Sequence, residues 1–186
     1  MDKLVKIDKQ LFIFLNNLGS DNWDFLWLFF SNKSVIFSFI VLIIVILIYT
    51  IKKENWVMLI IFFILSVSVT DLLHVHLLKN VFMRLRPCWE LEIMSQIRPL
   101  LIDCGGQYGF VSGHAANTAA MVTFLLLAFN TIKIYLKYIL VFWVFVVAYS
   151  RIYLAKHYPL DVIMGILFGC MISLLVYKIF NYFFNK

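Results

Sequence analysis

The sequence predicts an all-α, polytopic transmembrane helix bundle of about five spans with an amphipathic helix at its N-terminus. Three observations carry this. The 186 residues are 63% hydrophobic and only 14% charged, with a mean hydropathy of +0.94. A soluble domain of this length could not hide that much apolar surface, so its solvent is a bilayer. A helical span takes about 20 mostly apolar residues, and five runs qualify, at about 34–51, 55–78, 115–132, 134–153 and 160–182. These runs are continuous rather than alternating, which argues against a β-barrel.

In chain order, Leu4, Ile7, Leu11, Phe14, Leu15 and Leu18 recur at helical spacing, with Lys3, Lys6, Lys9 and Asn17 elsewhere around the turn. That is the pattern of a helix lying in the membrane interface. Gly19, Ser20, Asp21 and Asn22 break it. The aromatic stretch from Trp23 to Phe30 is too short to cross and reads as interfacial, with Trp23 and Trp27 at headgroup level. A span through 11–30 would bury Asn16, Asn17, Asp21, Asn22 and Asp24, at a cost that argues against it. The expectation is one membrane-embedded domain, with 1–33 as an interfacial segment and 34–186 as the bundle. No small-residue cleavage site follows the first long run, so it is expected to act as an uncleaved anchor.

The formal charge is +6. No basic face with interleaved aromatics stands apart from the apolar runs, so nucleic acid is excluded as a partner in favour of lipid headgroups. The polar residues that remain cluster at the ends of the runs. Lys79 and Arg86-Pro87 follow the second run, Ser112-Gly113-His114 precede the third, Arg151 ends the fourth, and His157 and Asp161 flank the start of the fifth. Counting crossings puts all of them on one side of the membrane, together with the long loop 87–110. The far side keeps the short connections 52–54 and 131–133. It also holds Lys52, Lys53, Lys133, Lys137, Lys178 and Lys186, and the other basic residues lie on the site side. That distribution does not favour an external site. The cysteines pull the other way. Cys88 and Cys104 sit in the site-side loop and either bridge it, which needs an oxidising compartment, or stand as two thiols. Cys170, mid-span, reads as packing.

The chemistry of these groups is that of a phosphate ester. Phosphoryl transfer needs its charge spread and its leaving oxygen protonated. On a continuing helix Lys79 and Arg86, seven apart, share a face, and Pro87 stops that helix; the same cations also suit a membrane edge, where they snorkel. Ser112 fits a helix N-cap and can donate to phosphate. Gly113 permits close backbone approach, and His114 can protonate a leaving oxygen. His157 and Asp161, four apart, meet across one helical turn, so the carboxylate can hold one ring nitrogen and leave the other free to attack phosphorus. Asp71 and His74 also share a helix face, but His76 points elsewhere and no fourth ligand follows. They read as a structural pair behind Lys79 rather than a metal site.

These stretches resemble the type 2 phosphatidic acid phosphatase family, which shares its site with vanadium haloperoxidases. The family pattern is Lys, six residues, Arg-Pro; then Pro-Ser-Gly-His; then Ser-Arg, five residues, His, three residues, Asp. Lys79 with Arg86-Pro87, Ser112-Gly113-His114, and Ser150-Arg151 with His157 and Asp161 match at these spacings. The resemblance runs from about Asp71 to the C-terminus. Val111 stands where the family has proline, and the family's usual extra first span is not evident. The resemblance implies that His157 is a nucleophile forming a phosphohistidine, Asp161 orients it, and His114 protonates the leaving group. Lys79, Arg86, Ser112, Gly113 and Arg151 would hold the phosphoryl oxygens, with no metal and no other cofactor.

It further implies a bacterial inner-membrane enzyme facing the periplasm or exterior. Its substrate would be a membrane lipid phosphate: undecaprenyl pyrophosphate, phosphatidylglycerol phosphate, phosphatidic acid or lipid A. The alternatives are a lipid-phosphate binding or transport protein on the same scaffold and a vanadate-dependent oxidase. Binding alone needs no nucleophile, and the bilayer setting disfavours the oxidase. An external site also favours the Cys88–Cys104 bridge, which would close about 15 residues in a loop with few apolar side chains of its own.

Overall fold

A computed structural model describes residues 2–51, 55–98 and 101–184. The 52–54 connection therefore lies outside the described residues. The chain is helical, and among the described residues extended pairing is limited to one isolated bridge, Leu85 to Tyr108. In order come α1 (Asp2–Asn17), α2 (Asp24–Ser31), α3 (Lys33–Thr50) and α4 (Trp56–Leu73). Helix α4 continues through a π-turn at His74–Lys79 to Phe82. Then follow α5 (Gly113–Ala128), α6 (Ile134–Tyr153) and α7 (Pro159–Phe184).

The helices follow the apolar runs to within a few residues. Among the described residues three are long and apolar enough to cross a membrane: Trp56–Phe82, Ile134–Tyr153 and Pro159–Phe184. Helix α3 counts with α2 as a bent pair, at 60°. The third run ends as helix at Ala128, so α5 has only 16 residues, fewer than a free-standing span needs. Its neighbours stand in for lipid: Ala116, Ala119, Ala120, Phe124 and Leu125 are all buried.

The closest packing is α5 against α7, and small residues make it. Gly165 and Gly169 on α7 form a Gly-xxx-Gly pair, the spacing that lets helix backbones approach in a membrane. A Cβ on Gly169 would sit 2.0 Å from the Ala116 carbonyl oxygen, and one on Gly165 would sit 2.7 Å from that of Ser112. Around this pair a core forms from Ile40 and Leu47 of α3, Leu59 and Phe63 of α4, Leu140 and Val144 of α6, and Phe180 of α7. Apolar residues on the outer faces, such as Val45, Ile61, Leu167 and Leu175, stay exposed as lipid-facing groups.

Two expectations need correction. The helix after Lys79 does not run to Pro87: Met83 takes a left-handed conformation (φ 43°) and ends it at Phe82. Lys79 and Arg86 therefore do not share a helix face. Residues 84–86 run instead beside 107–109, joined by Arg86 N–H to Gln107 O (3.1 Å) and Gly109 N–H to Arg84 O (2.8 Å). The aromatic segment is also more than an interfacial patch. Trp27 of α2 stacks on Tyr153 and meets Tyr149 edge-on, which docks α2 on α6.

Helix α1 keeps its predicted stripe outward, with Leu4, Ile7, Leu11, Phe14 and Leu18 exposed. Its other face, Asp8, Phe12 and Asn16, is buried. Phe12 joins Cys88, Ile93, Cys104, Ile152 and Tyr158 in a second apolar cluster. The site-side loop thus does have a core, and α1 supplies part of it. Cys88 and Cys104 are disulfide-bonded across that loop, with Cα atoms 6.0 Å apart.

Gly169→Ala tests the α5–α7 contact. Alanine recovers about 1 kcal/mol of helix propensity, but the backbone oxygen facing it cannot swing aside. Overpacking of about 1–3 kcal/mol should win, seen as a lower midpoint of thermal unfolding in detergent. An unchanged or raised midpoint would show that the helices are not in backbone contact.

Candidate active site

The ends of α3, α4, α5 and α6, the α6–α7 turn and the 84–109 loop form a cavity of about 810 Å³, lined by Lys79, Arg86, Gly113, His114, Arg151 and His157. Ile36, Phe37, Val75 and Met121 line it as well, so a strongly cationic wall adjoins an apolar one. Six of the predicted site residues thus meet at one place. The other two, Asp161 and Ser112, sit behind its wall, both 0% exposed.

Each cation is held by its own surroundings. The π-turn at His74–Lys79 inserts a residue into the helical repeat just before Lys79. Arg86 donates from Nε to Tyr108 O (3.1 Å) and from Nη1 to Cys104 O (2.7 Å), so the disulfide loop fixes its fork. Arg151, in the last turn of α6, donates to the Ser31 hydroxyl at the end of α2, and its Nε has no partner. A bound anion is the natural partner for such a buried, unpaired donor.

His157 lies in the turn between α6 and α7. The N–H groups of Lys156 and His157 both donate to Arg151 O, at 2.9 and 3.2 Å, which ties the histidine to the end of α6. The ring is buried, and its Nδ1 has no hydrogen-bond partner. Burial, reinforced by the charges of Arg151, Arg86 and Lys79, pushes its pKa well below the usual histidine value. The ring is therefore neutral at pH 7, as a nucleophile requires. The same burial, with Arg151 and Arg86 nearby, pushes Lys156 down to about 8.

Asp161 is one helical turn from His157, but the contact is looser than the spacing suggested. Its Oδ2 is 3.7 Å from His157 Nδ1, beyond hydrogen-bond range. That carboxylate is occupied elsewhere: Oδ1 accepts from Arg84 Nη1 at 2.7 Å and Oδ2 from the Tyr158 N–H at 3.0 Å. Gly109 leaves the space for this cluster, since a Cβ there would be 3.1 Å from Asp161 Oδ2 and 3.5 Å from His157 Nδ1.

Ser112 is the N-cap of α5, but its hydroxyl makes no capping bond and is buried without a partner. Its N–H donates to Asp161 O at 2.9 Å, so its role in the fold is to join α5 to α7. Gly113 makes room for His74: a Cβ there would lie 2.6 Å from His74 Nε2. Asp71 does not support Lys79 from inside the bundle as expected. It is exposed, lines the cavity and accepts from Asn117 Nδ2 at 2.6 Å, with His74 Nδ1 at 3.9 Å.

Sequence reasoning missed Arg84 and Asp8. Arg84 lies inside the first motif, where nothing in the spacing sets it apart from an ordinary membrane-edge cation. For Asp8 a signal existed: Asp8, Phe12 and Asn16 are spaced by four, a second helical face beside the apolar stripe.

The sequence profile of the PAP2 superfamily matches residues 56–185. The lipid A 4'-phosphatase of Bacteroides thetaiotaomicron is 31% identical over 170 residues, spanning 89% of this chain and 73% of that protein. The lipid A 4'-phosphatase of Porphyromonas gingivalis is 28% identical over 184 residues, spanning 98% and 76%. Among solved structures, LpxE from Aquifex aeolicus superposes with a TM-score of 0.69 at 24% identity, covering 91% of this chain and 93% of that one. The transmembrane PAP2 type phosphatidylglycerolphosphate phosphatase from Bacillus subtilis superposes with a TM-score of 0.72 at 19% identity, covering 98% and 89%. At those identities the two structures speak for the fold alone, while the profile and the first relative speak for the family. The chain, an integral membrane protein, belongs to the PAP2 superfamily.

Proposed function

We propose that this protein is a lipid phosphatase that removes phosphate from a membrane lipid through a phosphohistidine intermediate, the whole chain acting as one domain. The observation that carries this reading is a neutral, buried His157 in a cavity that it shares with the cations Lys79, Arg86 and Arg151 and a second histidine, His114. Binding alone would need the cations but no nucleophile. The ring nitrogen away from Asp161, Nε2, attacks phosphorus. The phosphorus–oxygen bond to the lipid breaks, and His114 gives its proton to the departing oxygen. Water then attacks the phosphohistidine, His114 takes a proton from that water, and inorganic phosphate leaves with His157 restored. Lys79, Arg86 and Arg151 carry the phosphoryl charge throughout, with the Gly113 backbone alongside.

Lipid A bearing a 4'-phosphate leads among the candidate substrates, because the Bacteroides thetaiotaomicron and Porphyromonas gingivalis relatives are named for that activity. Phosphatidylglycerol phosphate, undecaprenyl pyrophosphate and phosphatidic acid complete the panel. The apolar residues Ile36, Phe37, Val75 and Met121 beside the cations suit a substrate that keeps its chains in the bilayer. The proposed setting is a bacterial inner membrane with the site facing the periplasm or exterior. The Cys88–Cys104 disulfide on the site side supports that orientation.

Three measurements check this reading. His157→Ala should abolish phosphate release while the protein still purifies folded, and release at near wild-type rate by this variant would end the assignment. His114→Ala should slow substrates with poor leaving groups most; equal loss across good and poor leaving groups would remove it as the acid. Turnover of the panel should be unchanged by EDTA, because the three cations neutralise the phosphate; loss in EDTA with recovery on adding a divalent ion would overturn this.

Orientation can be read on intact cells with a membrane-impermeant thiol reagent. Cys88 and Cys104 should label only after reduction, without permeabilisation. Labelling that needs permeabilisation but no reductant would reject both the external site and the bridge in the cell.

A further inference from the structure

The buried face of α1 reaches the reaction centre through two ion pairs. Arg84 donates from Nη2 to Asp8 Oδ2 at 2.6 Å and from Nη1 to Asp161 Oδ1 at 2.7 Å, so one guanidinium bridges two carboxylates. Asp8 is 5% exposed and Asp161 0%. The other oxygen of Asp8 accepts from the Leu160 N–H at 2.9 Å, in the first turn of α7. Arg84 also lies over the Tyr158 ring at 4.2 Å, and Phe12 of α1 meets the same ring edge-on at 5.3 Å. Eight residues along α1, Asn16 donates to Ile152 O and Tyr153 O at the end of α6. Helix α1 thus grips both ends of the turn that carries His157.

This arrangement costs a great deal unless it has a use. Three charged groups are withdrawn from water, and such clusters seldom stabilise a fold more than apolar packing would. Their effect is geometric. Asp161 is 3.7 Å from His157 Nδ1, and Arg84, together with the Tyr158 N–H, decides where that carboxylate sits. A planar fork held at both ends leaves Asp161 little freedom to rotate.

We propose that Asp8 and Arg84 are positioning residues for the phosphatase reaction: Asp8 of the interfacial helix holds Arg84, which holds Asp161 against the nucleophile His157. As His157 gains its phosphoryl group and its Nδ1–H becomes a stronger donor, Asp161 must already stand in place to accept it. The relay makes turnover depend on α1, whose outer face meets the bilayer.

The inference rests on His157 being the nucleophile, and the test separates the two. The full-length protein is assayed in detergent micelles with the lipid phosphate turned over fastest in the panel, and inhibition by inorganic phosphate reads the Lys79, Arg86 and Arg151 cradle independently. Asp8→Asn should lower kcat about 10- to 100-fold, while KM and phosphate inhibition stay within about threefold. Arg84→Ala should lose at least as much, Arg84→Lys should recover roughly tenfold of that loss, and Asp8→Asn added to Arg84→Ala should cost nothing more. Wild-type kcat in Asp8→Asn and Arg84→Ala would overturn the relay, as would kcat and phosphate affinity falling together, the mark of a merely structural role. Should Asp8→Asn fail to fold, the Arg84→Lys and Arg84→Ala pair decides by the same readouts. A wild-type protein that hydrolyses no lipid phosphate would instead remove the reading on which the relay rests.

Discussion

The backbone contact between α5 and α7 is the constraint on which the rest depends. Gly165 and Gly169 let the α7 backbone reach Ser112 and Ala116 with no side chain between. At the upper end of that contact the Ser112 N–H meets the Asp161 carbonyl. Ser-Gly-His at the start of α5 and His157/Asp161 at the start of α7 are brought together because these two helices touch. In a bilayer, where apolar residues gain nothing by leaving lipid, close packing of small residues is what joins helices. The same glycines that serve the packing therefore set the geometry of the proposed reaction centre.

That centre concentrates charge in an apolar bundle, which is tolerable only where each charge has a partner. Arg84 has two carboxylates, Arg86 has loop carbonyls, and Arg98 in the site-side loop pairs with Asp21 and Asp24. Around His157 the balance is different. Arg151 keeps an unpartnered Nε, and Ser112 Oγ and His157 Nδ1 are likewise unpartnered and buried. Ser66, Trp143 and Ser173 also keep unpartnered buried atoms within the bundle, but Arg151, whose unpartnered Nε is charged, lines the cavity, as expected where an anionic ligand completes the set.

Helix α1 and the disulfide loop solve a problem that the bundle alone leaves open. The Arg86-Pro87 end of the first motif is on a loop, and loops in this region have only part of a core. Phe12 supplies apolar contact from above, Asp8 and Asn16 satisfy backbone groups at both ends of the α6–α7 turn, and the Cys88–Cys104 bond closes the loop that carries Arg86. Closing about 15 residues removes roughly 3 kcal/mol of chain entropy from the unfolded state in the simplest account.

The sequence by itself determined the solvent, the helices and the inventory of reactive groups. Continuous apolar runs admit only helices in a membrane, and three spaced motifs at run ends named six of the residues that line the cavity. It did not determine how those residues are held. Pro87 suggested a helix ending there, but Met83 ends it at Phe82, because backbone pairing of 84–86 with 107–109 outweighs local propensity. A His–Asp spacing of four suggested a direct hydrogen bond, but Arg84 and the Tyr158 N–H hold the carboxylate, leaving 3.7 Å to the ring. Ser112 looked like a phosphate donor, but its hydroxyl is buried behind the wall. Each difference has one cause. Spacing along a chain reports which residues share a turn, whereas competition for a buried oxygen involves partners 76 and 77 residues away, such as Asp8 and Arg84 or Arg84 and Asp161, and only the packed helices bring those together.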